Sequence, residues 1–89
     1  ALVDEPGGFE ATFSGLRGNP WWVEADIEAN EPLVRVEVRV EEGAFQPLAE
    51  TPWGSWAASL YVQPDALVQL RAQAQSGEMA LSTPVPWPP

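Results

Sequence analysis

The 89-residue chain has no cysteine, no histidine and no lysine. Without cysteine, no disulfide staples the fold and thiolate metal sites are excluded. Without histidine and lysine, the commonest general base and the Schiff-base nucleophile are missing. Ser14, Ser55, Ser59, Ser76 and Ser82 therefore lack a base of the usual kind, and an enzyme is not expected. Cations are scarce too. Arg17, Arg35, Arg39 and Arg71 stand against 13 acidic residues, for a formal net charge of −9. Such a surface repels nucleic-acid phosphates and anionic lipids at long range. Neither nucleic acid nor membrane is an expected partner, and a neutral ligand is the easy case. No apolar run is long enough to span a bilayer as a helix. No secretory signal is visible and the chain begins with Ala1, so it reads as a mature or excised module. The expectation is a secreted, extracellular setting, with the module tethered to another domain of a larger protein.

The acids show no catalytic pattern. Most alternate with apolar residues, as on the solvated outer side of a strand, and a glycosidase-type carboxylate pair is not read from them. Asp4-Glu5 and Glu41-Glu42 place two acids side by side. Two neighbours fall short of the six or more oxygens that calcium takes, so no metal and no cofactor are expected.

Short segments punctuated by ten prolines and seven glycines make up the rest, the spacing of an all-β sandwich or barrel. The clearest strand is 33–41, LVRVEVRVE. Val34, Val36, Val38 and Val40 fall on one face, and Arg35, Glu37, Arg39 and Glu41 on the other. Glu42-Gly43 is read as the turn that follows, with glycine free to take positive φ, and 44–48 as the partner strand. Phe9, Ala11 and Phe13 alternate with Glu10 and Thr12. Val23, Ala25 and Ile27 alternate with Glu24, Asp26 and Glu28. Trp56, Ala58, Leu60 and Val62 alternate with Ala57, Ser59 and Tyr61. Residues 66–75, ALVQLRAQAQ, are good helix formers, yet Val68, Leu70, Ala72 and Ala74 alternate strictly with polar residues, and the period predicts a strand. Met79 and Leu81 begin a last short strand. The expected fold is an immunoglobulin-like antiparallel β-sandwich of two sheets with about seven or eight short strands. It forms a single domain over residues 1–89, with 84–89 as a Pro-rich tail or the start of a linker.

What the sequence has in excess is tryptophan, five in 89 residues. A small domain has a thin core, and each buried aromatic removes roughly 150–250 Å² from water. At about 25 cal/mol per Å², leaving one outside forgoes several kcal/mol and calls for a reason. Trp56, Phe9 and Phe13 are in phase with core positions. Trp22 shares the phase of Glu24, Asp26 and Glu28, so periodicity places it outside. Trp21 shares the phase of Val23 but follows Pro20 where the pleat begins, and the pattern leaves its side open. Trp53, in Thr51-Pro52-Trp53-Gly54, belongs to a loop, where exposure is expected. Tyr61 is out of phase with the core and expected at the surface. The pattern assigns Trp87 no place. Exposed flat aromatics offer apolar faces to planar ligands. The C–H face of a sugar ring with equatorial hydroxyls is such a ligand, and a protein surface is another.

The segments RGNPWWVEADIE, GAFQPL, TPWGSWAAS and LVQLRAQAQSGE together resemble the carboxy-terminal domain of expansins and bacterial expansin-like proteins, over about residues 9–86. The resemblance implies a two-sheet carbohydrate-binding module that holds cellulose and related neutral β-glucans on a flat strip of aromatics. It places Trp21 and Trp22 at the family's paired-aromatic position and Trp53 at a third aromatic, with Trp56 at a position that reads as core. Arg17 lies near a basic residue that assists in some relatives. The candidate ligand-binding residues are therefore Trp21, Trp22, Trp53, Arg17 and Tyr61. Wall-loosening relatives are often basic, and the acidity here disfavours pectin-like polymers. The family's amino-terminal barrel, with its essential acid, is not among these residues, so the implication extends to binding and not to wall loosening. The alternatives are a structural immunoglobulin-like spacer and a protein-docking domain of a secreted multidomain protein.

Overall fold

Alternation of side chains builds two sheets that close on one apolar layer. The computed structural model describes residues 9–89. Their strands are β1 (Ala11–Asn19), β2 (Trp22–Ala29), β3 (Leu33–Val40), β4 (Gln46–Pro47), β5 (Ala49–Glu50), β6 (Trp56–Ser59), β7 (Leu67–Ala74), β8 (Met79–Leu81) and β9 (Val85–Pro86). One sheet runs β1-β2-β6-β5. The other runs β4-β3-β7-β8, with β9 also paired to β7. With every pairing antiparallel, this is the A-B-E-D and C′-C-F-G arrangement of an immunoglobulin-like sandwich. The expected architecture is therefore present, with nine strands among the described residues in place of seven or eight.

The core follows from the inward phase of its central strands. Val23 and Ala25 of β2 meet Val36 and Val38 of β3, and Val68, Leu70 and Ala72 of β7, all fully buried. The strict period of β7 shows in its burial, since Val68, Leu70, Ala72 and Ala74 are all inside. Period thus outweighed the helix propensity of its Ala, Leu and Gln, because a strand here buries one whole face. Phe9, Phe13 and Trp56 pack at the margin of this layer, half-buried.

Four expectations are corrected. Val34, placed in the core by alternation, is 56% exposed. The register slips between Leu33 and Arg35, so Val34 is the extra residue of a bulge and leaves the inward series. In the turn after β3 the positive φ belongs to Glu41, at 56°, where Gly43 was expected to take it. The Glu41 carboxylate accepts the backbone N–H of Leu67, and the Gly43 N–H bonds the Val40 carbonyl. The bond to Leu67, 26 residues on in β7, and the closed turn hold Glu41 in the left-handed region, which is sparsely populated outside glycine. Of the 44–48 return strand, only Gln46–Pro47 pairs with β3. Lastly, residues 85–87 are no tail. Val85–Pro86 is a strand on β7, and Trp87 is 1% exposed, among the largest fully buried side chains. The Trp87 backbone is fastened at both polar groups, its N–H to the Ala66 carbonyl and its carbonyl to the Asp65 N–H. Asp4-Glu5 lies outside the described residues.

Candidate functional site

The outer side of the β1-β2-β6-β5 sheet is set by β2. Its residues alternate, so Trp22, Glu24 and Asp26 point away from the buried Val23 and Ala25. Trp22 lies opposite Ser59 and Glu24 opposite Ala57 on β6. Residues opposite each other share a face, so this patch belongs to one surface. Ala57 is small, which leaves room over the sheet above it.

Trp21 and Pro20 form the two-residue turn between the paired Asn19 and Trp22. The Asn19 side-chain oxygen accepts the Trp21 backbone N–H at 2.8 Å, an Asx turn that lifts Trp21 out of the strand's phase. That local bond decides what alternation left open, and Trp21 is 66% exposed. Backbone N–H groups of Leu60 and Val62 bond the carbonyls of Trp21 and Pro20. The chain after β6 is thereby drawn along the turn. Val62 is buried and Tyr61 turns outward, 51% exposed, its ring 4.7 Å from that of Trp21 and tilted by 45°. Beneath, Trp87 donates its indole N–H to the Asn19 carbonyl at 2.8 Å. Gly18 is required here by close approach. A β-carbon on it would overlap the Trp22 carbonyl oxygen and come within 2.5 Å of the Trp87 ring. The Trp pair thus stands on a turn fastened from below by the last tryptophan of the chain.

Trp53 belongs to the loop between β5 and β6. The Gly54 N–H closes a β-turn onto the Thr51 carbonyl, and Gly54 follows at φ 91°, a conformation that favours glycine. The Thr51 N–H bonds the Ser55 carbonyl, and the Ser55 N–H bonds Thr51 Oγ1. This closed loop holds the Trp53 ring over the sheet, 68% exposed.

Arg17 reaches the same surface through an irregularity. Ser14 pairs with Asp26 and Arg17 with Glu24, three steps on β1 against two on β2. The extra residue is a β-bulge containing Gly15, at φ 56°. Without it Arg17 would point inward and Leu16 outward; with it Leu16 packs on the core and Arg17 lies beside Glu24. A side chain on Gly15 would collide with Asp26 and Arg17.

These residues meet at Glu24, which alternation alone leaves on a solvated strand face and which is only 8% exposed. Its Oε1 accepts the indole N–H of Trp22 at 3.0 Å. Its Oε2 accepts the indole N–H of Trp53 at 2.8 Å, the hydroxyl of Ser55 at 2.5 Å and a guanidinium N–H of Arg17 at 2.9 Å. Ser55 commits its one proton to Glu24, so the 2.8 Å contact between the Ser55 and Thr51 hydroxyls is donated by Thr51. Arg17 also bonds Asp26 at 3.0 Å and the Gly15 carbonyl at 2.6 Å. The donors lower the Glu24 pKa from 4.5 to about 2, Ser55 most, then Trp22 and Trp53, with the Arg17 charge adding and burial opposing. Arg17 is correspondingly raised, chiefly by its bond to Asp26. A carboxylate held ionised in this way has no proton to give at ordinary pH. Glu24 is the residue that sequence reasoning missed. Its one signal was position, two residues after Trp22 on the same side of a strand.

All five candidates, Trp21, Trp22, Trp53, Arg17 and Tyr61, thus lie along the outer side and turn end of one sheet. Trp22 is half-buried and the other aromatics project from it. The surface is open. A cleft at Phe13, Leu16, Leu81 and Val85, and another at Arg39, Glu41, Leu67 and Pro84, include none of these aromatics. Among the described residues no cluster of three or more acids is placed to hold a metal ion.

No family model matches the chain, and no curated protein matches it in sequence. In fold it is similar to a crystal structure of an expansin from Clavibacter michiganensis without ligand (TM-score 0.63, 23% identity). It is equally similar to a point mutant of that expansin in complex with cellohexaose (TM-score 0.62, 22% identity). In both cases the likeness covers 92% of this chain and 40% of the expansin. The chain therefore spans well under half the length of the proteins whose fold it shares.

Proposed function

We propose that the chain is an expansin-related, non-catalytic carbohydrate-binding module that takes neutral β-glycans, cellulose or a related β-glucan, on its aromatic face. The observation that carries this reading is the Trp21–Tyr61 and Trp22–Trp53 grouping on one sheet, with Trp21 and Trp53 each about two-thirds exposed. Those rings forgo burial that a thin core would reward, and a sugar polymer laid on them supplies it on binding. The similar expansin fold seen with cellohexaose supports the ligand class. The charge of −9 supports a neutral chain over an acidic one. An open platform also fits an insoluble polymer better than a small molecule, which is usually held in a cleft. Binding through a few stacked rings is expected near the micromolar range or weaker. In this reading the module works outside the cell, attached to another domain.

Retention on microcrystalline cellulose tests the reading. Wild-type protein should partition to the solid, and Trp22→Ala and Trp53→Ala should each be retained about tenfold more weakly. Equal partitioning of all three sinks the stacking mechanism. A spacer would shield its own tryptophans, and the exposure of Trp21 and Trp53 counts against that role. Binding to a protein but to no glycan would establish the docking role instead.

A further inference from the structure

We propose that Glu24 is the positioning residue of the aromatic face: its buried carboxylate fixes the Trp22 and Trp53 rings and itself takes no hydrogen bond from the glycan. The binding arm of this inference rests on the reading above; its spectroscopic arm does not.

A carboxylate offers about four lone-pair sites. Glu24 meets four donors, Trp22 on Oε1 and Trp53, Ser55 and Arg17 together on Oε2. Oε1 keeps one lone pair, but the residue is only 8% exposed, so burial and not saturation keeps a sugar hydroxyl from it. The two tryptophans come from different elements, β2 and the β5–β6 loop, and share no turn or strand that would align them. Their common partner is this carboxylate. For Trp53 the bond matters most. Its ring is mostly in water, and an indole on a loop turns freely about two side-chain torsions unless an edge is tied. Charge-assisted hydrogen bonds to a buried acceptor are strong and directional enough to tie it.

The arrangement also defines what the face offers. Both indole N–H groups point inward to Glu24, so these rings present carbon surface and no directional donor. Recognition by them rests on ring contact and tolerates different hydroxyl patterns above it. Arg17 is shared between Glu24 and Asp26, but a neutral glycan carries no net charge of its own, so binding should change less than about twofold between low and high salt.

Exchange of indole N–H protons with water, followed by NMR on the intact chain without ligand, tests the fixing. The Trp22 and Trp53 indole protons should exchange at least about tenfold more slowly than that of Trp21, on the scale of one hydrogen bond to a charged group. Glu24→Gln should abolish that difference for at least one of the two, because the indoles bond different carboxylate oxygens and an amide keeps only one accepting oxygen. Fast exchange at Trp53 in the wild type overturns the proposal, even if the Gln variant fails to fold.

Cellulose retention supplies the second arm. Glu24→Gln should weaken binding about tenfold, again on the scale of one such lost bond. In a Trp22→Phe, Trp53→Phe background, which keeps rings but removes both N–H donors, the same change should cost less than about twofold. An undiminished loss there would mean that Glu24 meets the glycan itself, and no loss in either background would mean that the rings hold their places unaided; each result overturns the assignment. A wild type that ignores cellulose would refute the proposed function and leave the exchange result standing.

Discussion

On the outer side of the β4-β3-β7-β8 sheet, Arg35, Glu37 and Arg39 lie opposite Gln73, Arg71 and Gln69. On the outer side of the β1-β2-β6-β5 sheet, Trp22, Glu24 and Arg17 occupy the corresponding outward positions. Both surfaces contain guanidinium, carboxylate and aromatic groups, used in opposite ways. Phe45 lies beneath the guanidinium of Arg71, 3.9 Å from its centroid, with that of Arg39 at 5.0 Å, and Arg71 is also paired with Glu37 at 2.8 Å. The aromatic face there is consumed inside the protein by cations. On the other sheet the carboxylate holds the tryptophans by their N–H edges and leaves ring surface to solvent. A surface that satisfies its aromatics by their faces is finished; one that satisfies them by their edges is still open to a ligand.

The largest effect that would break this contrast is removal of its support. Trp87→Ala should cost about 3–5 kcal/mol, the range for a fully buried tryptophan, and release the Asn19 turn under Trp21 and Trp22. Thermal or denaturant unfolding would read it, and a loss below about 1 kcal/mol would show that the turn stands without its anchor. Next come the open rings. Trp21→Ala and Trp53→Ala should each weaken cellulose retention about tenfold, or about 1.4 kcal/mol, with the unfolding midpoint little changed for Trp21 and modestly lowered for Trp53, which also gives up its hydrogen bond to the buried Glu24.

Acid supplies a third, smaller comparison. The folded-state pKa of Glu24 lies below its ordinary value, so its ionised form adds stability that is full above about pH 4.5 and is lost as pH falls through about 2. Melting temperature should fall across that window in the wild type and fall less in Glu24→Gln. Parallel profiles would mean that the four donors do not stabilise the charge. The smallest effect belongs to the finished surface. Arg35→Ala should change stability by no more than about 0.5 kcal/mol and leave cellulose retention unaltered. A clear loss of retention would move the binding surface to the wrong sheet.

Much of this was legible in the sequence. The alternation of β3 and β7 and the lack of any competing period specify a sandwich, and Trp22 and Trp53 were placed outside by strand phase and loop position. What was not legible depended on steps that break the period. One extra residue near Gly15 moves Arg17 to the outer side, and another at Val34 sends a valine into water. Neither bulge has a sequence period, because each is fixed by the register of the neighbouring strand. The placement of Trp87 was equally hidden, since its bond is to Asn19, 68 residues earlier.

By itself the sequence determined the class of fold, the acidic character of the surface and the surplus of aromatic rings, because these follow from local alternation and composition. Only the tertiary structure decided that Glu24 leaves water and gathers Trp22, Trp53, Ser55 and Arg17 from three separate parts of the chain. A carboxylate's burial depends on which donors reach it, and those donors arrive only when β1, β2 and the β5–β6 loop have come together.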